Sequence, residues 1–457
     1  MRVYYFILIS IFIISCASPY TISDLNNEFK IRDFNNSYSL FSNFTDSIFD
    51  VLHDEELKKL TNLALANNTD ILIYENRINI AKAQTNIATS AQFPKLDSSL
   101  GYSFDGKSNI NASLMASWEL DIFGKFASIK NSKIEEQKKA IANFDYFKIS
   151  LISDIVLAYF NIKNLQANIS LSKNIISNYY ELLFLMDAMY RDGFIKFSDY
   201  LENKMSLQVE EQNLNSLLIS YEEQKNNLRM LINDMNYEIK DSIYNFEELN
   251  FHISLDSSLN IILNRPDVRA QIYDLNAAIY NLNSSKANLY PSIRLSGTIG
   301  QSLLSPTGIG DLAYQILSSL TLPLLNRQEI YQNIKISDYM RLESFLNLKK
   351  IIDKSLSEID NAIFAFESRK KTLKLSQEIL DANNEVLEIL KQSNDAGLVD
   401  GIDYLKAINN NLSMIKNNND AYFNALNSLM FLYRSIGGNV NDISDSRIYL
   451  GEGNGDK

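Results

Sequence analysis

The sequence predicts a mainly α-helical protein that carries a membrane β-barrel portion and is built as a two-fold internal repeat. Three observations predict this class. Two runs far longer than any globular helix contain no glycine or proline, the same pattern of breaker residues occurs twice, and four short stretches alternate strictly in polarity.

The N-terminus comes first. Arg2 precedes an apolar stretch from Val3 to Ile14, followed by Ser15 and Cys16. This reads as a secretory signal over residues 1–15, too short to persist as a spanning helix. Ile13-Ile14-Ser15-Cys16 resembles a bacterial lipobox, in which cleavage before the cysteine leaves lipid on its sulfur. Cys16 is the only cysteine, so no internal disulfide can form. Ala17 follows where lipoproteins held at the inner membrane often carry aspartate, so the resemblance points to the outer membrane. An uncleaved signal with an incidental cysteine is the alternative.

The long runs carry the helices. Lys125 to Asp192 and Leu324 to Ala396 contain neither helix breaker. At about 1.5 Å per residue, the first alone would extend roughly 100 Å as one helix. It carries two heptad seams: Ile141, Lys148, Ile155, Ile162, Ile169, Ile176, Leu183, Tyr190; and Phe144, Leu151, Ala158, Leu165, Ser172, Tyr179, Met186. The second run repeats the seam through Phe345, Ile352, Ile359, Phe366, Leu373, Leu380 and Leu387. Such seams pack a helix lengthwise against others.

The repeat is explicit. Asp70, Ala81 and Pro94 match Asp267, Ala278 and Pro291 at an offset of 197. Ala158, Leu171, Ser172, Gly193, Asp199, Tyr200 and Leu201 match Ala362, Leu375, Ser376, Gly397, Asp403, Tyr404 and Leu405 at an offset of 204. The difference places an insertion at Ser305–Asp311, which is rich in turn residues. The expected layout is a signal peptide (1–15), a lipidated extension (16–52), a first repeat (53–245), a second repeat (246–438) and a tail (439–457). Each repeat holds a helix, a β-hairpin (96–121; 293–322), a long helix (125–192; 324–396), a tip (193–199; 397–403) and a return helix.

Both hairpins alternate. Leu96, Leu100, Tyr102 and Phe104 oppose Asp97, Ser99, Ser103 and Asp105; Ile110 to Leu120 opposes Asn111 to Asp121 in the same way. Ile293, Leu295 and Ile299 oppose Arg294, Ser296 and Thr298. Leu312, Tyr314, Ile316, Leu320 and Leu322 oppose Gln315, Ser319 and Thr321, with Leu317 out of pattern. Each stretch matches the nine to eleven residues of a tilted membrane strand, with one face for lipid and one for water. Four strands alone would leave an open edge in lipid, so the chain must oligomerise. Three copies would give twelve strands.

Composition sets the remaining bounds. At 46% hydrophobic and 21% charged, the 457 residues are rich enough in apolar side chains to fold. A net charge of −12 argues against nucleic acid. With two histidines, His53 and His252, no thiol pair and no phosphate-binding glycine loop, neither an enzyme nor a metal or cofactor site is expected.

Trp118-Glu119-Leu120-Asp121-Ile122-Phe123-Gly124-Lys125, Arg265-Pro266-Asp267-Val268 and Tyr290-Pro291-Ser292-Ile293-Arg294-Leu295-Ser296-Gly297 occur in this order. Together they resemble the TolC-like and OprM-like outer-membrane channel family of tripartite efflux pumps, in its lipoprotein branch. The resemblance covers nearly the whole mature chain. It implies a homotrimer, with a 12-stranded barrel in outer-membrane lipid continued by a 12-helix periplasmic α-barrel. It also implies an equatorial belt from residues around Met235–Leu263 and from the C-terminal stretch. The implied role is an exit duct conducting small molecules from a periplasmic adaptor and an inner-membrane transporter, of RND type.

Physical reasons accompany these positions. Pro94 and Pro291 would end incoming helices, Gly124 would turn strand into helix, and Trp118 suits an interface. Pro323-Leu324-Leu325-Asn326-Arg327 lacks the family's glycine, so Asn326 is expected to make that turn. Gly193 and Gly397 would end the long helices, with Ser198 or Asp199 and Asp400 capping the next ones. By resemblance, the tips with Gly193, Phe194, Ser198, Gly397 and Leu398 meet the adaptor. Asp199, Asp400 and Asp403 are gate candidates, because threefold symmetry turns one aspartate into a ring. Lys406 and Val399 depart from residues some relatives carry there. A channel for type I protein secretion and a lipid-anchored periplasmic coiled-coil scaffold without a pore are the alternative readings.

Overall fold

The computed structural model describes residues 48–52, 54–104, 106–239, 258–304, 308–323 and 325–438. The signal, Cys16, His53, His252, most of the expected belt and the tail lie outside the described residues. The order is α1 (Ile48–Leu52), α2 (Glu55–Asn67), α3 (Thr69–Ser90), β1 (Lys95–Phe104), β2 (Ser108–Leu120), α4 (Lys125–Arg191), α5 (Phe197–Ile232), α6 (Ser258–Asn264), α7 (Pro266–Ala287), β3 (Ser292–Leu304), β4 (Ala313–Thr321), α8 (Arg327–Asp395) and α9 (Gly401–Ser435). Among the described residues no helix is long and apolar enough to cross a membrane.

The chain forms two compact units that cut across the two repeats. One takes Ile73–Phe144 and Pro266–Asp353, and so holds all four strands. Its strands form one antiparallel sheet in the order β1-β2-β3-β4. Its helices are tied in the order α3, α4, α7, α8. Thr85 Oγ donates to the Lys133 carbonyl at 3.1 Å, Lys139 meets Asp274 at 2.6 Å, and Ser285 meets Ser337 at 2.8 Å.

The other unit takes the described residues from 48 to Leu72, those of Asp145–Arg265 and those from Lys354. Here the order is α5, α4, α9, α8. Gln166 of α4 donates to Tyr221 of α5 at 3.1 Å, Asn164 to Asp420 of α9 at 2.8 Å, and Asn411 of α9 to Asn384 of α8 at 2.7 Å. The middle of the seams read from sequence is buried, at Ile155, Ile162, Ile169 and Leu183 beside Leu151, Ala158, Leu165, Ser172 and Met186, whereas Ile141, Phe144, Ile176 and Tyr179 are half-buried and Tyr190 is exposed. Lys148, the one charged member, is buried too, and meets Asp145 at 3.2 Å. Midway along the unit, Lys416 of α9 bonds both Glu210 of α5 and Ser172 of α4, each at 2.9 Å. Burial alone would raise the Glu210 carboxyl, but hydrogen bonds from Ser172, Lys416 and Asn213 hold it below its usual range.

Several boundaries differ from those read in the sequence. Pro94 and Pro291 do not end helices, because α3 and α7 stop at Ser90 and Ala287; each proline sits at the threshold of a strand, after a short turn. Asn326 makes no left-handed turn, since Asn233 is the only non-glycine with positive φ among the described residues. Asn326 instead precedes α8, its carbonyl accepting from Ile330 N–H at 3.2 Å. The first hairpin loop joins Phe104 to Ser108, whereas the second joins Leu304 to Ala313, where the insertion was expected.

Candidate functional site: the membrane sheet and the hairpin tips

The sheet separates the two faces as the alternation requires. Leu96 pairs with Ala116, Leu100 with Ala112, Leu114 with Ile299, and Ile299 in turn with Tyr314. One face therefore gathers apolar side chains from all four strands. They are not covered by the chain: Leu100 is 73% exposed, Tyr314 81% and Ile316 84%. A contiguous apolar surface of this kind marks contact with lipid or a partner. The other face carries Ser99 bonded to Ser113 at 2.8 Å, and Glu119 paired with Arg294 at 3.1 Å and Lys125 at 3.6 Å. Leu317 falls on this face opposite Ser296, confirming it as the exception. β1 and β4 are the edges of the sheet.

The strand-to-helix junction is built from the Trp118–Lys125 motif. Trp118 indole N–H donates to the Gln92 carbonyl at 3.0 Å, satisfying the one polar group of an otherwise apolar side chain. Gly124 adopts φ +70°, which a side chain would disfavour. Asp121 then caps α4 by accepting from Phe126 N–H at 3.0 Å and Ala127 N–H at 2.7 Å. The sequence marked Asp121 only as part of a motif. Its role depends on the chain folding back over Gly124, and the second junction has Leu325 at the equivalent position. Phe123 stacks on Tyr290 at 4.7 Å beside Pro291, and Pro323 follows β4.

The tips end their helices alike. Gly193 has φ +79° and Gly397 φ +72°. Gly193 N–H donates to Tyr190 and Phe194 N–H to Met189; Gly397 N–H donates to Asn394 and Leu398 N–H to Ser393. This is a Schellman closure twice over. Phe194 and Leu398, next to the glycines, are 75% and 80% exposed. Behind them Leu182 and Met186 of α4 pack with Ile402 and Leu405 of α9.

The capping of the return helices differs between tips. Asp400 caps α9, accepting from Ile402 and Asp403 N–H groups. Ser198 and Asp199 do not cap α5, which starts at Phe197 with Lys196 at the cap position and no side-chain cap bond. The repeat explains this, because Lys196 occupies the position of Asp400. Ser198 Oγ donates to Asp199 Oδ1 at 3.0 Å within the first turn. Asp199 and Asp403 occupy equivalent first-turn positions of α5 and α9.

Comparison with known proteins places this geometry. The family model described as "Outer membrane efflux protein" matches residues 60–234 and 259–438. The chain is 24% identical over 400 residues to Toxin and drug export protein A of Aggregatibacter actinomycetemcomitans, covering 84% of this chain and 87% of that protein. It is 20% identical over 379 residues to the probable outer membrane lipoprotein SilC of Salmonella typhimurium, covering 78% and 79%. Its fold is similar to the open state of the Neisseria gonorrhoeae MtrE outer membrane channel, with TM-score 0.80, 22% identity, and coverage of 93% and 97%.

Proposed function

Because the chain belongs to the outer membrane efflux protein family, we propose that it is the exit duct of a tripartite efflux system. Three copies close a barrel in the outer membrane and a helical tunnel in the periplasm. Small molecules, drugs and toxic compounds among them, pass through without energy input from the duct. A periplasmic adaptor engages the tips around Phe194 and Leu398, and an inner-membrane transporter of RND type drives the flow. Cys16 carries the lipid anchor.

The observation that carries this reading is the sheet, with its largely exposed apolar face and two edges. Unpaired edges are untenable in lipid unless another chain covers them, and a pore-free scaffold would have no use for such a face. The reading is tested by membrane fractionation and by the mass of the detergent-solubilised protein. Outer-membrane location and the mass of three chains are expected; a soluble or monomeric protein would refute it.

At the tip, Asp400 is committed to its cap, which leaves Asp403 and Asp199 as gate acids. Asp403→Ala is expected to raise the conductance of the isolated channel by opening a ring of three carboxylates. Unchanged conductance in planar bilayers would remove Asp403 from the gate.

A further inference from the structure

The repeat makes every contact between the two halves comparable with one that the chain cannot make by itself. In the strand-bearing unit, α4 is joined to α7 by Lys139–Asp274 and by Asn276–Glu135, and Ser132, Glu135 and Ala142 on α4 and Ala270, Ala277 and Ser284 on α7 are all buried. The counterpart of α4 is α8 (offset 204) and the counterpart of α7 is α3 (offset 197), and these two are the outermost helices of the unit. Their equivalent residues are large, apolar and uncovered. Ile336, Tyr339 and Leu346 on α8 are 51%, 68% and 54% exposed; Ile73, Ile80 and Ile87 on α3 are 41%, 58% and 69% exposed. The sheet of the same unit ends in β4, which leads into α8, and begins with β1, which follows α3. Both the helical face and the strand edge lack the partner that their repeat-mates have.

The charges at this seam carry further information. Lys139 of α4 pairs with Asp274 of α7 at 2.6 Å. The equivalent residues are Glu343 of α8 and Arg77 of α3, the same pair with its signs exchanged. Both are exposed, and among the described residues neither has an ion-pair partner.

Taking the oligomeric reading above as given, in which α8 of one copy lies on α3 of the next, we propose that the sign-exchanged pair Glu343 and Arg77 is the contact that fixes which helices meet. The docking repeats the geometry of α4 on α7, with Glu343 meeting Arg77 across the interface. The reversed polarity acts as an address. If α4 met α3 of another copy, Lys139 would face Arg77; if α8 met α7, Glu343 would face Asp274. Both mispairings place like charges together. Repeats of the same layout could otherwise assemble out of order, and sequence differences of this kind are how pairing is specified. The second unit shows the same contrast by itself. Leu182 and Leu405 are buried together, while their equivalents Val386 and Leu201 are 51% and 41% exposed.

The experiment is charge reversal in the full-length protein, read as the trimer fraction in detergent by mass measurement. Glu343→Arg is expected to raise the concentration of half-dissociation roughly tenfold, since three weak exposed pairs each turn repulsive. Adding Arg77→Glu should restore wild-type assembly. A trimer indifferent to Glu343→Arg, or a double variant no better than the single one, would overturn the seam assignment. A monomeric wild-type protein would instead overturn the oligomeric reading beneath it.

A second variant keeps the assignment testable if the reversals fold poorly. Asn79→Cys with Tyr339→Cys mimics the Asn276–Glu135 contact of 3.2 Å. With a short bifunctional thiol reagent it should give dimer and trimer bands that Cys16 alone does not give. A link within one chain, or none, would contradict the proposal.

Discussion

Ile316→Arg is expected to cost insertion and assembly roughly 2–4 kcal/mol per chain, the range for arginine near the midplane of a membrane barrel. Ile316 lies mid-strand in β4 opposite Gly297, and its side chain has no cover from the chain. Next to it, Gln315 pairs with Thr298 on the polar face. Gln315→Arg is therefore expected to cost much less, because its guanidinium would stand in water. Folding of each variant into lipid vesicles, followed by urea titration, separates the two. Equal effects would mean that the sheet does not divide lipid from water.

Arg265→Ala is expected to destabilise the helical unit by about 3 kcal/mol, the lower end of the range for breaking a buried pair, because Glu358 remains partly solvated. Arg265 is 2% exposed. Its guanidinium donates to the Ser435 carbonyl of α9 at 2.6 Å and to Glu358 of α8 at 2.9 Å, while Lys354 meets Glu358 at 3.1 Å. Without Arg265, Glu358 keeps only the exposed lysine and the Ser435 carbonyl loses a charged donor. Arg265→Lys should recover only part of the loss, since one ammonium cannot reproduce the two-armed contact. The midpoint of denaturant unfolding, followed by helical circular dichroism, checks both variants.

Much of the architecture was legible in the sequence because its causes are periodic. Alternation across β1 to β4 reflects a lipid–water boundary, and the heptads of α4 and α8 reflect lengthwise packing. Gly124, Gly193 and Gly397 were readable because each needs a positive φ at a chain reversal. Asp400 was readable because a capping acid stands just before its helix.

What stayed hidden depends on partners distant in the chain or on subtle offsets. Ser198 and Asp199 look like caps until the helix is seen to start at Phe197, with Lys196 at the position that Asp400 takes in the other tip. Asp121 caps α4 across a turn that no local pattern announces. Nothing near Arg265 names Glu358 or Ser435, and only the structure shows how one arginine ties the start of the second repeat to its last two helices. Asn233, in left-handed conformation at φ 53° after α5, had a signal that was available, since asparagine commonly ends helices this way.

The central claim is that this chain forms a water-filled duct, and single-channel recording of the purified protein in planar bilayers tests it most directly. The account predicts discrete conductance steps that appear without nucleotide, ion gradient or partner pump. Membrane-inserted protein that never conducts, even with the tip acid Asp403 replaced, would contradict it.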